Sequence, residues 1–366
     1  MGDSPLHKLA AYGQSVWVDS LSRDLIHGGE LARLIREDAV TGVTSNPAIF
    51  QKALAQGDSY DAQLHELAGA ASAKEAFVGL AVRDIQDACD VLRPVFDATG
   101  GADGHVSLEV DPGFAYDTEQ TFAEVVRLTK EVDRPNLLVK IPATLPGLPA
   151  IEDSIASGRS INITLIFSLD RYVKVAECYI RGLQRLAADG GDLSKVASVA
   201  SFFVSRVDSE ADARLEQAGA GHLCGKLAVA NAKLAYAEFQ RLFSGPAWVE
   251  LAAKGARPQR PLWASTSTKN PAYRDVIYVE ELIGPDTVNT MPEETIRGFK
   301  DHGVCARTID ADLAGAQQVF TDIAAAGVSY DDVVMVLEAE GVQKFAAAFT
   351  SLLAGIEAKR AVVAAA

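Results

Sequence analysis

Short apolar runs alternate with amphipathic stretches along most of this 366-residue chain, and that alternation restricts the fold more than any other feature. The runs lie at 14–19, 39–44, 104–110, 136–141, 160–167, 197–203, 261–266 and 286–290. Apolar residues return every three or four positions in the stretches between them, most clearly at 171–188 and 223–243, as expected of helices packed on one face. Strands separated by helices pair in parallel through right-handed crossovers. Eight such units predict a (β/α)₈ TIM barrel, an α/β fold, in preference to an open doubly wound sheet. Extra helices are expected near 4–12, in pairs across 51–98, and at 311–360. No Ser/Gly linker or fixed-period repeat divides the chain, so one domain spanning 1–366 is expected, with a helical C-terminal appendage at about 311–366.

Charge narrows the possible partners. Against 34 Lys and Arg stand 49 Asp and Glu, a net charge of −15. A field of that sign repels nucleic acid and anionic membrane, and an anionic substrate would need its own local cations. The four cysteines, Cys89, Cys178, Cys224 and Cys305, have neither CxxC nor metal-ligand spacing. They read as reduced core thiols of a cytoplasmic protein, with Cys178 and Cys224 inside helices. The opening segment MGDSPLHKLAAYG has no signal-peptide apolar core, and the closing AVVAAA reads as a fraying helix tail. No apolar run approaches a membrane span.

Near the carboxyl end of nearly every run a polar side chain interrupts the apolar pattern: Asp19, Asn46 just beyond the second, Glu109, Lys140, Asn162 with Thr164, Ser201, Ser265 and Asn289. The carboxyl ends of barrel strands share one mouth, where active sites draw residues from several strands. Asn162 and Thr164 share a side of their strand, as do Ser201 and Phe203. Each residue also has a structural explanation. Asp19 and Asn46 suit a cap and a turn, Glu109 could pair with a helix cation, and Thr164 favours strands. Their recurrence at one end of the strands points to a site.

Lys140 is the sharpest member. Its ammonium interrupts Leu137-Leu138-Val139-Lys140-Ile141-Pro142, a run whose neighbours imply burial on both faces. Such a charge needs a partner, and Glu109 on the adjacent strand would supply one; otherwise the amine sheds its proton. The neutral form is the one that attacks a carbonyl. Arg206 follows the sixth run, and Lys269 follows the seventh. Cations beside helix N–H groups suit a phosphate, although Arg206 could instead pair with Asp208 or Asp275.

Taken in order, GVTSNPAIF (42–50), SLEVDP (107–112), LLVKIPAT (137–144), INITLIFS (161–168), ASFFVSRVD (200–208), LWASTSTKNP (262–271) and IGPDTVNTMP (283–292) resemble the transaldolase family from about residue 12 to the C-terminal helices. The resemblance implies a Schiff-base transferase of the pentose phosphate pathway that uses neither metal nor cofactor. It would move a dihydroxyacetone unit from sedoheptulose 7-phosphate to glyceraldehyde 3-phosphate, giving erythrose 4-phosphate and fructose 6-phosphate. It implies Lys140 as the Schiff-base lysine and Asp19 as the residue handling the proton during cleavage. Glu109 would act through a water that Thr164 helps to hold. Asn46, Asn162 and Ser201 would bind the dihydroxyacetone unit, with Phe203 beside the water-handling site, and Arg206 the phosphate. Many family members carry a second phosphate arginine after the serine of the seventh strand. Here Ser265, Thr266, Ser267 and Thr268 stand there, so the second phosphate contact falls to Lys269, or to Ser265 or Ser267.

Three other readings are weighed: a fructose-6-phosphate aldolase sharing barrel and lysine, a metal-dependent barrel enzyme with Asp19, Glu109 and Asp111 as ligands, and a barrel that has lost catalysis. The C-terminal helices could close the barrel or face a partner subunit in a homodimer.

Overall fold

A computed structural model describes residues 4–365 and contains a closed, eight-stranded parallel barrel. Its strands are β1 (Gln14–Val18), β2 (Val40–Val43), β3 (Val106–Glu109), β4 (Leu137–Pro142), β5 (Ile161–Ile166), β6 (Ser198–Phe203), β7 (Arg260–Ala264) and β8 (Thr287–Met291). Each pairs with the next, and β8 closes the ring on β1, with Gln14 through Val18 opposite Thr287 through Met291. All eight apolar runs became strands, in the TIM-barrel order expected.

The barrel interior is filled, not hollow. Trp17 of β1 stands opposite Gly42 of β2, and a Cβ at residue 42 would lie 2.4 Å from the indole. Glycine there makes room for the largest side chain in the core. The indole N–H donates to Asp103 at 2.8 Å, which satisfies a buried donor at the lower end of the barrel.

The helices follow the sequence pattern with instructive differences. The helix Leu169–Ala188 starts at its cap, where Ser168 accepts from the Arg171 N–H at 3.0 Å. The helix expected from residue 223 begins only at Leu227, because Gly225 adopts φ +75° and interrupts it. Cys224 therefore lies outside the helix and is half-buried, as is Cys305; Cys89 and Cys178 are buried, and all four thiols are free. Across 51–98 there are three helices rather than two, Pro47–Ala55, Asp61–Glu66 and Ala73–Ala98.

Beyond the barrel, Leu313–Ala325 and Tyr330–Ala365 are separated by a turn in which Gly327 has φ +83°. The last helix is no loose appendage. It packs on Pro47–Ala55, Asp61–Glu66, Ala73–Ala98 and Ser205–Gln217, and so lies over the carboxyl ends of the strands. Gly341 brings it close to β5, where an added Cβ would sit 3.0 Å from the Leu165 side chain. Leu165 has φ +59°, and β5–β6 pairing shifts register between Ile163 and Ile166. A left-handed leucine costs about 1–2 kcal/mol, and this bulge immediately follows Thr164. The closing Ala-rich segment runs helical to Ala365; residue 366 lies outside the described residues.

Candidate active site

Register assembles the site. Parallel pairing sets Glu109 of β3 opposite Lys140 of β4, and Lys140 opposite Asn162 of β5, so the three project at one level inside the barrel. Lys140 is 5% exposed. Its ammonium donates to the Ser45 carbonyl at 2.9 Å and lies 3.8 Å from Glu109 Oε2. The ion pair expected with Glu109 is present, but it is longer than a hydrogen bond.

Burial pushes the Glu109 carboxyl up to about 7, against the attraction of Lys140 that opposes it. Glu109 Oε2 and Thr164 Oγ1 are both buried with no hydrogen-bond partner among the described residues. Asp19 is likewise raised by burial, while the Thr44 hydroxyl, donating to its Oδ1 at 2.6 Å, and the charge of Lys140 pull it back. Two carboxyl groups with raised protonation ranges therefore flank the buried amine of Lys140.

The amide of Asn162 is fixed from two sides. Its Nδ2 donates to Ser107 Oγ at 3.0 Å, and its Oδ1 accepts from Ser201 Oγ at 2.7 Å. Asn46 does what its place before proline suggests and also lines the mouth. Its Oδ1 caps the helix Pro47–Ala55 by accepting from the Ile49 N–H at 3.0 Å. A cavity of about 210 Å³ joins Asp19, Asn46, Lys140, Thr164, Ser201, Phe203, Arg206, Ser265, Ser267 and Lys269. Asn162 reaches this cavity through Ser201, and Glu109 sits behind Lys140.

Arg206 resolves the alternatives left by the sequence. Asp208 is occupied by the Ala228 N–H and the Tyr278 hydroxyl, each at 2.7 Å, and Asp275 by His302 at 2.9 Å. Among the described residues Arg206 has no carboxylate partner. Its guanidinium lies over the Phe203 ring, 5.0 Å from the centroid, and burial lowers its proton affinity. A half-buried, unpaired guanidinium in the first turn of the helix Ser205–Gln217 is suited to an anion. Lys269 is exposed and donates to Ser267 Oγ at 2.6 Å, while Ser265, at φ +55°, meets Ser205 Oγ at 3.0 Å and ties the two loops together.

Over residues 16–356 the chain matches the family described as Transaldolase/Fructose-6-phosphate aldolase. It belongs to that family. Relatives named transaldolase include one from Frankia alni, 53% identical over 358 residues that cover 96% of each chain. Another, from Acidothermus cellulolyticus, is 53% identical over 356 residues, again 96% of each chain. A third, from Mycolicibacterium smegmatis, is 50% identical over 359 residues, 96% of this chain and 97% of its own.

Within this family member, two sequence expectations need correction. Asn289 does not face the mouth. It has the wrong parity on β8: its amide donates to the Tyr278 carbonyl at 3.2 Å, behind the sheet, and Thr290 lines the cavity instead. Asp111 does not join Asp19 and Glu109 as a third oxygen ligand, because it pairs with Lys74 at 2.5 Å. Among the described residues no three His, Cys, Asp or Glu side chains are grouped to hold a metal ion.

Besides Thr290, sequence reasoning missed four contributors. Thr44 bridges Asp19 and Thr290, the latter at 2.7 Å, and Ser107 anchors Asn162. Both lie within runs already singled out, and alternation along β3 puts Ser107 on the same face as Glu109. The Ser45 carbonyl carries no side-chain signal. Phe345 reaches the mouth from the last helix, and nothing local in sequence marks it.

Proposed function

We propose that the chain is a transaldolase that transfers a dihydroxyacetone unit between phosphorylated sugars through a Schiff base on Lys140. The carrying observation is a single buried amine at the register level of Glu109 and Asn162, in the same mouth as the unpaired Arg206. The gap of 3.8 Å between Lys140 and Glu109 suits proton transfer through one water, to which Glu109 Oε2 and Thr164 Oγ1 offer free lone pairs. A carboxyl that titrates at about 7 can both take and return a proton near neutrality.

Neutral Lys140 attacks the ketose C2 carbonyl, and loss of water gives an iminium. Asp19 then accepts the C4 hydroxyl proton, the C3–C4 bond breaks, and its electron pair moves into the iminium to form an enamine. The aldose phosphate departs with its new carbonyl. The enamine carbon next attacks the second aldehyde, Asp19 returns the proton, and water hydrolyses the new iminium to free Lys140. Asn46, Asn162 and Ser201 hold the three-carbon unit, and the fixed amide of Asn162 reduces the reorganisation this requires. Arg206 binds the phosphate, aided by Lys269 with Ser265 or Ser267. Phe203 packs beneath the guanidinium, and Phe345 of the last helix helps to keep bulk water from the enamine.

We also read the chain as one cytoplasmic domain; the four unpaired thiols support the compartment, and no helix of the described residues is long and apolar enough to cross a membrane. Borohydride reduction in the presence of fructose 6-phosphate, followed by peptide mass mapping, tests the site. A three-carbon adduct is expected on Lys140 and none in Lys140→Met, whereas an adduct on another lysine overturns the assignment. With erythrose 4-phosphate as acceptor, transfer should outpace release of free dihydroxyacetone; the reverse would indicate an aldolase.

A further inference from the structure

At the opposite, amino-terminal end of the strands lies a second cavity, of about 510 Å³, within the ordinary range of small-ligand sites. It opens between the entries to β4, β5 and β6, where Leu137, Ser160 and Ala197 line it. Four cations border it, Arg134, Arg159, Lys195 and Arg257, and no carboxylate does. In a chain of net charge −15 such a concentration is unexpected. Arg134 is neutralised by Asp90 at 2.6 Å and Lys195 by Asp192 at 3.5 Å. Arg159 and Arg257 have no carboxylate partner among the described residues. Arg159 Nε is buried without any hydrogen bond, and Arg257 donates to the Gly100 carbonyl at 2.5 Å.

A second, independent observation points to a ligand. His105, 2% exposed, lines this cavity, and its buried Nδ1 has no hydrogen-bond partner. Burial lowers its protonation to about 4, so at neutral pH it offers a neutral imidazole, not a third charge. Asp103, the acid nearest in sequence, is engaged by Trp17 at 2.8 Å, by Thr41 at 2.9 Å, by Ser15 and by Arg260. Asp286 lines an adjoining, smaller cavity that shares Gly101, His105, Ala197 and Arg257 with this one.

We propose that this cavity binds a phosphorylated small molecule, its phosphate held by Arg159 and Arg257 and its neutral portion lying against His105. The volume exceeds what a bare phosphate fills, which favours an ester over the free anion. The site faces away from the mouth, so the molecule bound there is not the substrate of the Lys140 chemistry.

Calorimetric titration of the Arg206→Ala protein, which lacks the principal phosphate cation of the mouth, with glucose 6-phosphate and with inorganic phosphate tests this. Saturable binding is expected, tighter for the ester, and Arg159→Gln or Arg257→Gln added to that background should weaken it by about tenfold or more. Titration of otherwise unmodified, ¹⁵N-histidine-labelled protein provides a readout independent of those variants: the His105 ring signals should shift and saturate with the ester. The proposal is overturned if no binding survives Arg206→Ala, if both arginine variants bind as before, if inorganic phosphate binds as well as the ester, or if His105 does not respond. None of these readouts uses turnover, so they stand apart from the test of the Lys140 chemistry.

Discussion

Glutamine at position 109 would keep the shape of the buried side chain and remove its titration. In the folded chain the Glu109 carboxyl is raised from 4.5 to about 7. Between those values the native state holds a proton that the unfolded chain has released. A raised acid of this kind stabilises the fold fully below 4.5, and that contribution declines as pH climbs until it levels off above about 7. At roughly 1.4 kcal/mol for each pH unit separating the two values, the full decline amounts to about 3 kcal/mol. Glu109→Gln has no proton to lose. Urea denaturation of both proteins across the range from mildly acid to mildly alkaline should therefore give diverging curves. The variant should gain on the parent by up to about 3 kcal/mol toward the alkaline end. Parallel curves would refute the reasoning, because they would mean that Glu109 stays ionised at no cost beside Lys140.

Other perturbations follow from the same geometry. Arg206→Ala should raise KM for a phosphorylated donor by about tenfold to a hundredfold and leave free dihydroxyacetone nearly unaffected; equal losses in steady-state assays would make the arginine structural. Thr44→Val removes the hydroxyl that holds Asp19 down, so the acid limb of the kcat/KM profile, where the Asp19 base is lost to protonation, should move to higher pH. A limb that stays in place would take the proton-handling role away from Asp19. Gly42→Ala would set a methyl 2.4 Å from the Trp17 indole and should cost about 1–3 kcal/mol in chemical unfolding; no loss would show that the indole has room to move.

Much of this molecule could be read from its residues. Each strand was visible because a run buried on both faces must be continuously apolar, and Lys140 was conspicuous for the same reason. Glu109, Asn162 and Ser201 could be grouped because each interrupts its run near the carboxyl end, and those ends open onto one mouth. Asn289 misled because the amide is the more chemical-looking neighbour of Thr290, and only register decides which of two adjacent side chains faces inward. The apolar period from residue 223 overstates the length of the helix Leu227–Leu242, because Gly225 breaks an otherwise continuous pattern. Phe345 was illegible: its place depends on the route of a helix that follows all eight strands, and no local pattern encodes that route.

That route has a consequence for synthesis. Every strand-borne group of the mouth has been synthesised by the end of β8, yet the aromatic wall contributed by Phe345 comes more than fifty residues later. A nascent chain can thus close its ring of strands while the sugar-binding end still stands open to solvent. Any enamine formed then would meet water before it met a second aldehyde. The order of translation itself defers protected chemistry until the final helix has docked.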